Sequence, residues 1–161
     1  MKNNMNYKEL YNQLINTGGF TCGWDQLNPP KGQFIVSITN NMADIPSNAK
    51  ELRALLVSVL EQKEYKKYIG NPDYCFGAWI DKDIIFVDIN RIFDDLHAAI
   101  LCGIEFNQKA LFDIQNNILY TLPQCQAHGT ETQKKDYKIK LLQSIREKRY
   151  YVDYTKTIRL E

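Results

Sequence analysis

No apolar run in this 161-residue chain approaches the roughly 18 residues of a membrane-spanning helix. Met1-Lys2-Asn3-Asn4-Met5-Asn6-Tyr7 lacks the apolar stretch of about 7–15 residues that directs secretion. Neither membrane attachment nor export is expected, and the expected compartment is the cytoplasm. Histidine is scarce, with His97 and His128 alone. The cysteines, Cys22, Cys75, Cys102 and Cys125, form no C-x-x-C pair, and in a cytosolic chain they are expected as free thiols packed as small hydrophobes. Cys125-x-x-His128 has the spacing of half a zinc site. Structural zinc takes four ligands, usually in two close pairs, and no second pair is present. Neither metal nor cofactor is therefore expected. Also missing are a phosphate loop, a dinucleotide fingerprint, G-x-S-x-G and H-E-x-x-H. Net charge is small too: 20 Lys plus Arg oppose 19 Asp plus Glu, giving +1.

What is present is an ordinary globular composition, 44% hydrophobic, 12% aromatic and 24% charged, in a length that suits one domain over residues 1–161. A first helix is expected over about 7–15, with Asn6 as N-cap and Gly18-Gly19 as stop. Residues 20–33 read as a loop broken by Pro29, Pro30 and Gly32, and Phe34 to Thr39 as a strand. Asn40 to Pro46 reads as a turn. Ser47 is the expected cap of a second helix, whose Leu52, Leu55, Leu56, Val59 and Leu60 share one face.

Tyr74–Ile80 and Ile84–Ile89, joined by Asp81-Lys82-Asp83, predict an antiparallel hairpin. Its second strand, apolar on both faces, belongs in the middle of a sheet. A third helix is expected from about Asp94, burying Leu96, Ala99, Ile100, Gly103, Ile104 and Phe106. Ala110–Ile114 and Ile118–Leu122 flank Gln115-Asn116-Asn117 as a second hairpin. Thr130-x-x-Gln133 fits a capping box opening a last helix with Ile139, Leu142 and Ile145 on its apolar side. Residues 150–158 offer an edge strand. The order predicts an α+β fold: an antiparallel or mixed sheet built from hairpins with about four helices packed against it. Residues 131–161 would form a basic C-terminal helix and tail on that domain or extending from it.

Charge is segregated although its sum is small. Residues 72–113 carry Asp73, Asp81, Asp83, Asp88, Asp94, Asp95, Glu105 and Asp113 against Lys82, Arg91 and Lys109, a net of −5. Residues 131–161 carry a net of +4. Such segregation favours oriented encounter with a charged partner or a second copy, although hairpin tips and helix faces are commonly charged for solvation alone. The acidic candidates for a partner surface are Asp81, Asp83, Asp94 and Asp95. The basic candidates are Arg146, Lys148, Arg149, Tyr150, Tyr151 and Lys156, where cations interleave with aromatics as in surfaces that grip phosphates and stack bases or anchor protein interfaces.

No catalytic residue is assigned. His97 lies beside a core face, and Cys102 is five residues on, outside the three-or-four spacing that brings helix side chains together. Asp81 and Asp83 would share one side of an extended segment, as a divalent cation prefers, but a hairpin tip uses the same residues for turning and solubility.

Tyr74 to Tyr120 contains Tyr-x-Phe-Gly-Ala-Trp-Ile, then Ile-Phe-Val-Asp-Ile, a helix, and Phe-Asn-Gln-Lys-Ala-Leu-Phe-Asp-Ile. The stretch resembles small accessory proteins of phages and integrated mobile elements, which pair a strand ending in Gly-x-Trp with a helix leading to Asn-Gln-x-Ala-Ile-(Phe/Trp)-Asp. Gly18-Gly19-Phe20-Thr21 is similar to their glycine-rich opening. The likeness covers about two-thirds of the chain and leaves out the basic end. Within it, Trp79 would be a core residue and Asn107-Gln108 a helix terminator.

The resemblance implies a setting inside a bacterial host cell, among inhibitors of host defence such as anti-CRISPR and anti-restriction proteins. The expected function is stoichiometric protein–protein binding to a bacterial defence nuclease, a CRISPR effector among them, or to its nucleic-acid complex. An acidic surface would occupy a basic groove as a competitor. The alternatives are a nucleic-acid-binding accessory protein that uses the basic end, and a small enzyme without a signature. A homodimer joined through its oppositely charged ends is a further arrangement the charge map allows.

Overall fold

A computed structural model describes residues 5–25, 30–122, 130–147 and 156–159. These residues form an α+β fold of four α-helices and eight strands. They gather into two compact units, one comprising residues up to Lys31 together with Thr39–Arg91, the other Gly32–Ile38 and Ile92 onward.

In the first unit, α1 (Tyr7–Thr17) begins where the Asn6 side-chain oxygen accepts the Glu9 N–H at 3.1 Å, satisfying one of the donors a helix start leaves free. It ends at Gly18, whose φ of 85° is the left-handed cap that glycine adopts without penalty. The chain then enters a strand directly: β1 (Gly19–Cys22) occupies what reads in the sequence as the start of a loop. β3 (Met42–Asp44) likewise replaces the expected turn. The second helix, α2 (Ala49–Leu60), is capped by Asn48 rather than Ser47, with the Asn48 side-chain oxygen accepting from Glu51 N–H at 2.9 Å. Ser47 instead donates its backbone N–H to the Glu51 carboxylate at 2.7 Å, so the reciprocal contact falls one residue before the cap.

The hairpin forms as expected. β4 (Tyr74–Asp81) pairs with β5 (Ile84–Phe93) from Tyr74↔Arg91 to Asp81↔Ile84. Asp81 and Ile84 close the ladder, so the connection is two residues, Lys82 and Asp83, and Lys82 takes φ 55° to make it. β1 pairs antiparallel with β4, and β3 with β5, giving the order β1-β4-β5-β3 with β5 inside, as its apolar sequence implies. One face of these strands supplies Phe20, Phe76, Ala78, Ile85, Val87 and Ile89 to the interior, together with Leu10 and Leu14 of α1 and Leu52, Leu56 and Leu60 of α2. Phe20 meets Phe76 edge-on, with ring centroids 6.2 Å apart.

The second unit is built on β2 (Phe34–Ser37), β6 (Ala110–Asp113), β7 (Ile118–Thr121) and β8 (Lys156–Arg159), each antiparallel to the next. β8 is the edge strand expected from the tail, registered as Ile118↔Arg159 through Thr121↔Lys156. Between strands lie α3 (Leu96–Glu105) and α4 (Glu131–Arg146). Their core joins Phe34, Val36, Ala99, Ile100, Cys102, Ile104, Leu111, Leu122 and Leu141.

α3 ends in a Schellman arrangement. Asn107 N–H reaches Ile104 O at 3.1 Å, Gln108 N–H reaches Gly103 O at 2.8 Å, and Asn107 takes φ 55°. That is the terminating role expected of Asn107-Gln108. Phe106, placed in the sequence reading on the buried face, is instead 43% exposed, because it is the C-cap where the helical face no longer continues. The capping box at α4 is complete in both directions, Thr130 N–H to Gln133 Oε1 at 2.9 Å and Gln133 N–H to Thr130 Oγ1 at 3.2 Å. Leu141 rather than Ile139 carries the buried side of α4; Ile139 is exposed.

Candidate protein-binding face

The alternation that sends Phe76, Ala78 and Ile85 inward sends their neighbours to the opposite face. Two cross-strand rows result near the β4–β5 turn. One reads Met42, Phe86, Trp79 and Gly19 across β3, β5, β4 and β1. The row beside it, closer to the turn, reads Asp44, Ile84 and Asp81. Trp79 and Phe86 stack with ring centroids 4.4 Å apart and planes 12° from parallel. Met42 is 62% exposed, Trp79 45% and Ile84 41%. Asp44, Asp81, Lys82 and Asp83 are exposed around them.

Trp79 is therefore not a core residue. It sits one position from Ala78 and Ile80, so it points to the opposite face, which is covered at Cys75 and Gly77 but open at Trp79 near the turn. Met42, Trp79 and Ile84 keep roughly half of their surface in water, and covering it is worth roughly half of the 1.5–3 kcal/mol of a full burial for each. Contiguous exposed apolar groups rimmed by charge mark interaction surfaces.

Asp81 and Asp83 come together at this turn and are joined there by Asp44, which the sequence reading missed. The turn also removes the extended-segment argument for a cation between Asp81 and Asp83, since Lys82 and Asp83 are the two residues that reverse the chain. Asp94 and Asp95 belong to the other unit. Asp95 is the N-cap of α3, its carboxylate accepting the Ala98 N–H at 3.0 Å, and Asp94 is exposed just before it. At the basic end, Arg146 is the exposed last residue of α4 and Lys156 lies in β8. Lys148, Arg149, Tyr150 and Tyr151 lie outside the described residues.

Two other acids of the charged stretch, Asp113 and Asp88, are structural, while Asp73 and Glu105 are exposed. Asp113 is buried and accepts from Gln33 Nε2 (3.0 Å), Gln115 N–H (3.0 Å), Asn116 N–H (3.0 Å) and Asn116 Nδ2 (2.9 Å). Burial pushes its carboxyl upward, but the hydrogen bonds from Asn116, Gln33 and Gln115 outweigh it and hold it below its ordinary value. It fastens the β6–β7 turn. Asp88 is buried on β5, where its Oδ1 faces the Asn41 N–H at 3.4 Å.

The groups from which catalysis would be built are placed otherwise. His97 is half-buried in α3, and Cys102 is buried in the core of its unit. Burial pushes the Cys22 thiol up to about 11, with Asp25 and Glu9 adding to the rise. Cys75 is pushed up to about 12 by burial, against an opposing hydrogen bond from Asn90. Both are protonated and unreactive near neutral pH, since the thiolate is the nucleophile. Among the described residues no three His, Cys, Asp or Glu side chains converge to hold a metal ion. Cys125 and His128 lie outside the described residues. No helix among those described is long and apolar enough to cross a membrane.

Compared with protein-family models, curated proteins and solved structures, the chain matches none.

Proposed function

We propose that this protein acts by stoichiometric binding to another protein through the outer face of the β4–β5 hairpin, and that its partner is a bacterial defence nuclease, a CRISPR effector among the candidates, or its nucleic-acid complex. The observation that carries the binding part is the juxtaposition of exposed Trp79, Met42 and Ile84, with Phe86 half-buried beneath the indole, and exposed Asp44, Asp81 and Asp83. Aromatic anchors supply most of the energy of a typical interface, and carboxylates at the rim supply orientation and association rate toward a basic surface. A nuclease presents such a surface in the groove that holds its nucleic acid, so an acidic hairpin tip competes for it. The choice of a nuclease rests on the sequence resemblance to mobile-element accessory proteins.

The test is capture of bound species from bacterial lysate on the tagged protein, with and without nuclease treatment, followed by mass spectrometry. Retention of one protein after nuclease treatment, in about equimolar amount, is the expected result, and a defence nuclease would identify the target. Binding that disappears with the nucleic acid would overturn direct protein binding and transfer the function to the basic C-terminal segment around Arg146 and Lys156. Loss of affinity should then follow salt steeply, as released counterions require.

A further inference from the structure

Trp79 has one covered face and one open one. The indole lies flat on Phe86. The residue paired with it on its other side, in β1, is Gly19, which has no side chain to lay against the second face. Gly19 is also closely held: a Cβ there would stand 3.0 Å from Ala78 O and 3.2 Å from Trp79 Cβ. Even a methyl group would crowd the strand pair at the foot of the indole. The result is a slot floored by the Gly19 backbone and walled by an aromatic ring that is 45% exposed.

A carboxylate stands at the edge of this slot. Asp81 lies two residues along β4 on the same face as Trp79, about 6.6 Å away along a strand, which is within reach of a guanidinium stacked on the ring. An aromatic face and a carboxylate at that distance together select a flat cation over a compact ammonium, because guanidinium both stacks on rings and pairs with carboxylates in a planar fork.

We infer that Trp79, Gly19 and Asp81 form a subsite for an arginine side chain of the partner. This rests on reading the hairpin face as a protein-binding surface and names the chemistry it recognises. The guanidinium lies on the open face of Trp79 above Gly19, and Asp81 receives its N–H groups.

The probe is acetyl-Gly-Arg-Gly-amide, with the Lys and Glu counterparts as controls, titrated into the full-length ¹⁵N-labelled protein up to about 10 mM, a range that reads weak single contacts. Trp24 supplies an internal reference, because its Nε1–H already donates to Asn71 O at 2.9 Å. The arginine peptide is expected to shift the Trp79 indole N–H and the Gly19 and Asp81 amides while leaving the Trp24 indole in place. The lysine peptide should bind more weakly and the glutamate peptide not at all. Trp79→Leu and Asp81→Asn should each weaken arginine binding roughly two- to fivefold, in proteins whose Trp24 signal stays in place. Absence of shifts at Trp79, or equal shifts with all three peptides, overturns the subsite.

The two ideas fail separately. Should wild-type protein and Trp79→Leu capture the same partner from nuclease-treated lysate equally well, the arginine subsite is wrong and the protein-binding function stands. Should the peptide bind at Trp79 while no protein is captured, the subsite stands and the proposed function falls.

Discussion

At the scale of single residues, position along the strand decides what hydrophobicity alone does not. Trp79 reads as core in the sequence and is at the surface; Cys75, four positions before it on the same side of β4, is buried, so that side is covered at one end of the strand and open near the turn. Gly77 lies between them and explains half of the Gly-x-Trp pattern. A Cβ on Gly77 would lie 2.8 Å from the Phe20 carbonyl oxygen of β1 and 3.2 Å from Asn90 Nδ2, so the residue lets β1 approach β4. Gly77→Ala should therefore cost about 1–3 kcal/mol by forcing β1 away, read as a lowered denaturation midpoint; unchanged stability would mean that β1 does not pack there.

The buried thiols set a second expectation. Their ordinary pKa of 9.0 is raised by folding to about 11 at Cys22 and about 12 at Cys75. Below pH 9 both folded and unfolded chains keep these protons. Above it the unfolded chain releases them first, so this contribution to stability is full below the unfolded value and is lost as pH rises toward the folded ones. The stability advantage of wild type over Cys75→Ala should shrink as pH rises from about 9 toward about 12. Thermal unfolding of the two proteins across that range reads it directly, and an advantage that grows with pH would contradict it.

At the scale of elements, the sequence was most informative where two local signals agree. The β4–β5 and β6–β7 hairpins, the Asn6 cap, the Schellman end of α3 and the Thr130–Gln133 box were all legible, because a polar or left-handed-tolerant residue punctuates each apolar run. β1 and β3 were not. Gly19-Phe20-Thr21-Cys22 is short and opens on glycine, and Met42-Ala43-Asp44 has no β-branched residue. Both exist because β4 and β5 offer partners, a tertiary effect that outweighs local preference.

The site was legible by halves for the same reason. Asp81 and Asp83 follow from the turn, whereas Asp44 and the Met42–Phe86–Trp79 row depend on the pairing of β3 and β5. The helix ends allow a matched test. Thr130→Ala should lower stability by about 1 kcal/mol through loss of the α4 cap. Asn107→Val should cost about 1–2 kcal/mol, because a β-branched residue resists the φ of 55° that Asn107 adopts, while Asn107→Gly should leave stability near wild type. Denaturant midpoints order the three; a harmless Asn107→Val would contradict the left-handed cap.

At the scale of the whole molecule, a near-zero net charge conceals an acidic hairpin tip and a basic C-terminal helix. α4 alone carries Lys134, Lys135, Lys138, Lys140 and Arg146 against Glu131 and Asp136. Part of that positive charge is structural: Lys138 Nζ donates to Glu105 O, at the C-terminal end of α3 where a cation is favoured. The hairpin face, by contrast, exposes apolar and acidic groups together, and that combination is the central reason for reading the protein as a binder of other proteins.

The most direct measurement is capture from nuclease-treated bacterial lysate by the wild-type protein beside the double variant Asp81→Lys, Asp83→Lys, with Thr130→Ala, at the α4 cap of the other unit, as a control. Wild type and Thr130→Ala are expected to retain the same protein, and the reversed hairpin to lose at least about tenfold of it, since each 1.4 kcal/mol is tenfold in affinity, while keeping a wild-type circular dichroism spectrum. Equal retention by the folded double variant would contradict the account and remove the β4–β5 hairpin from the interface.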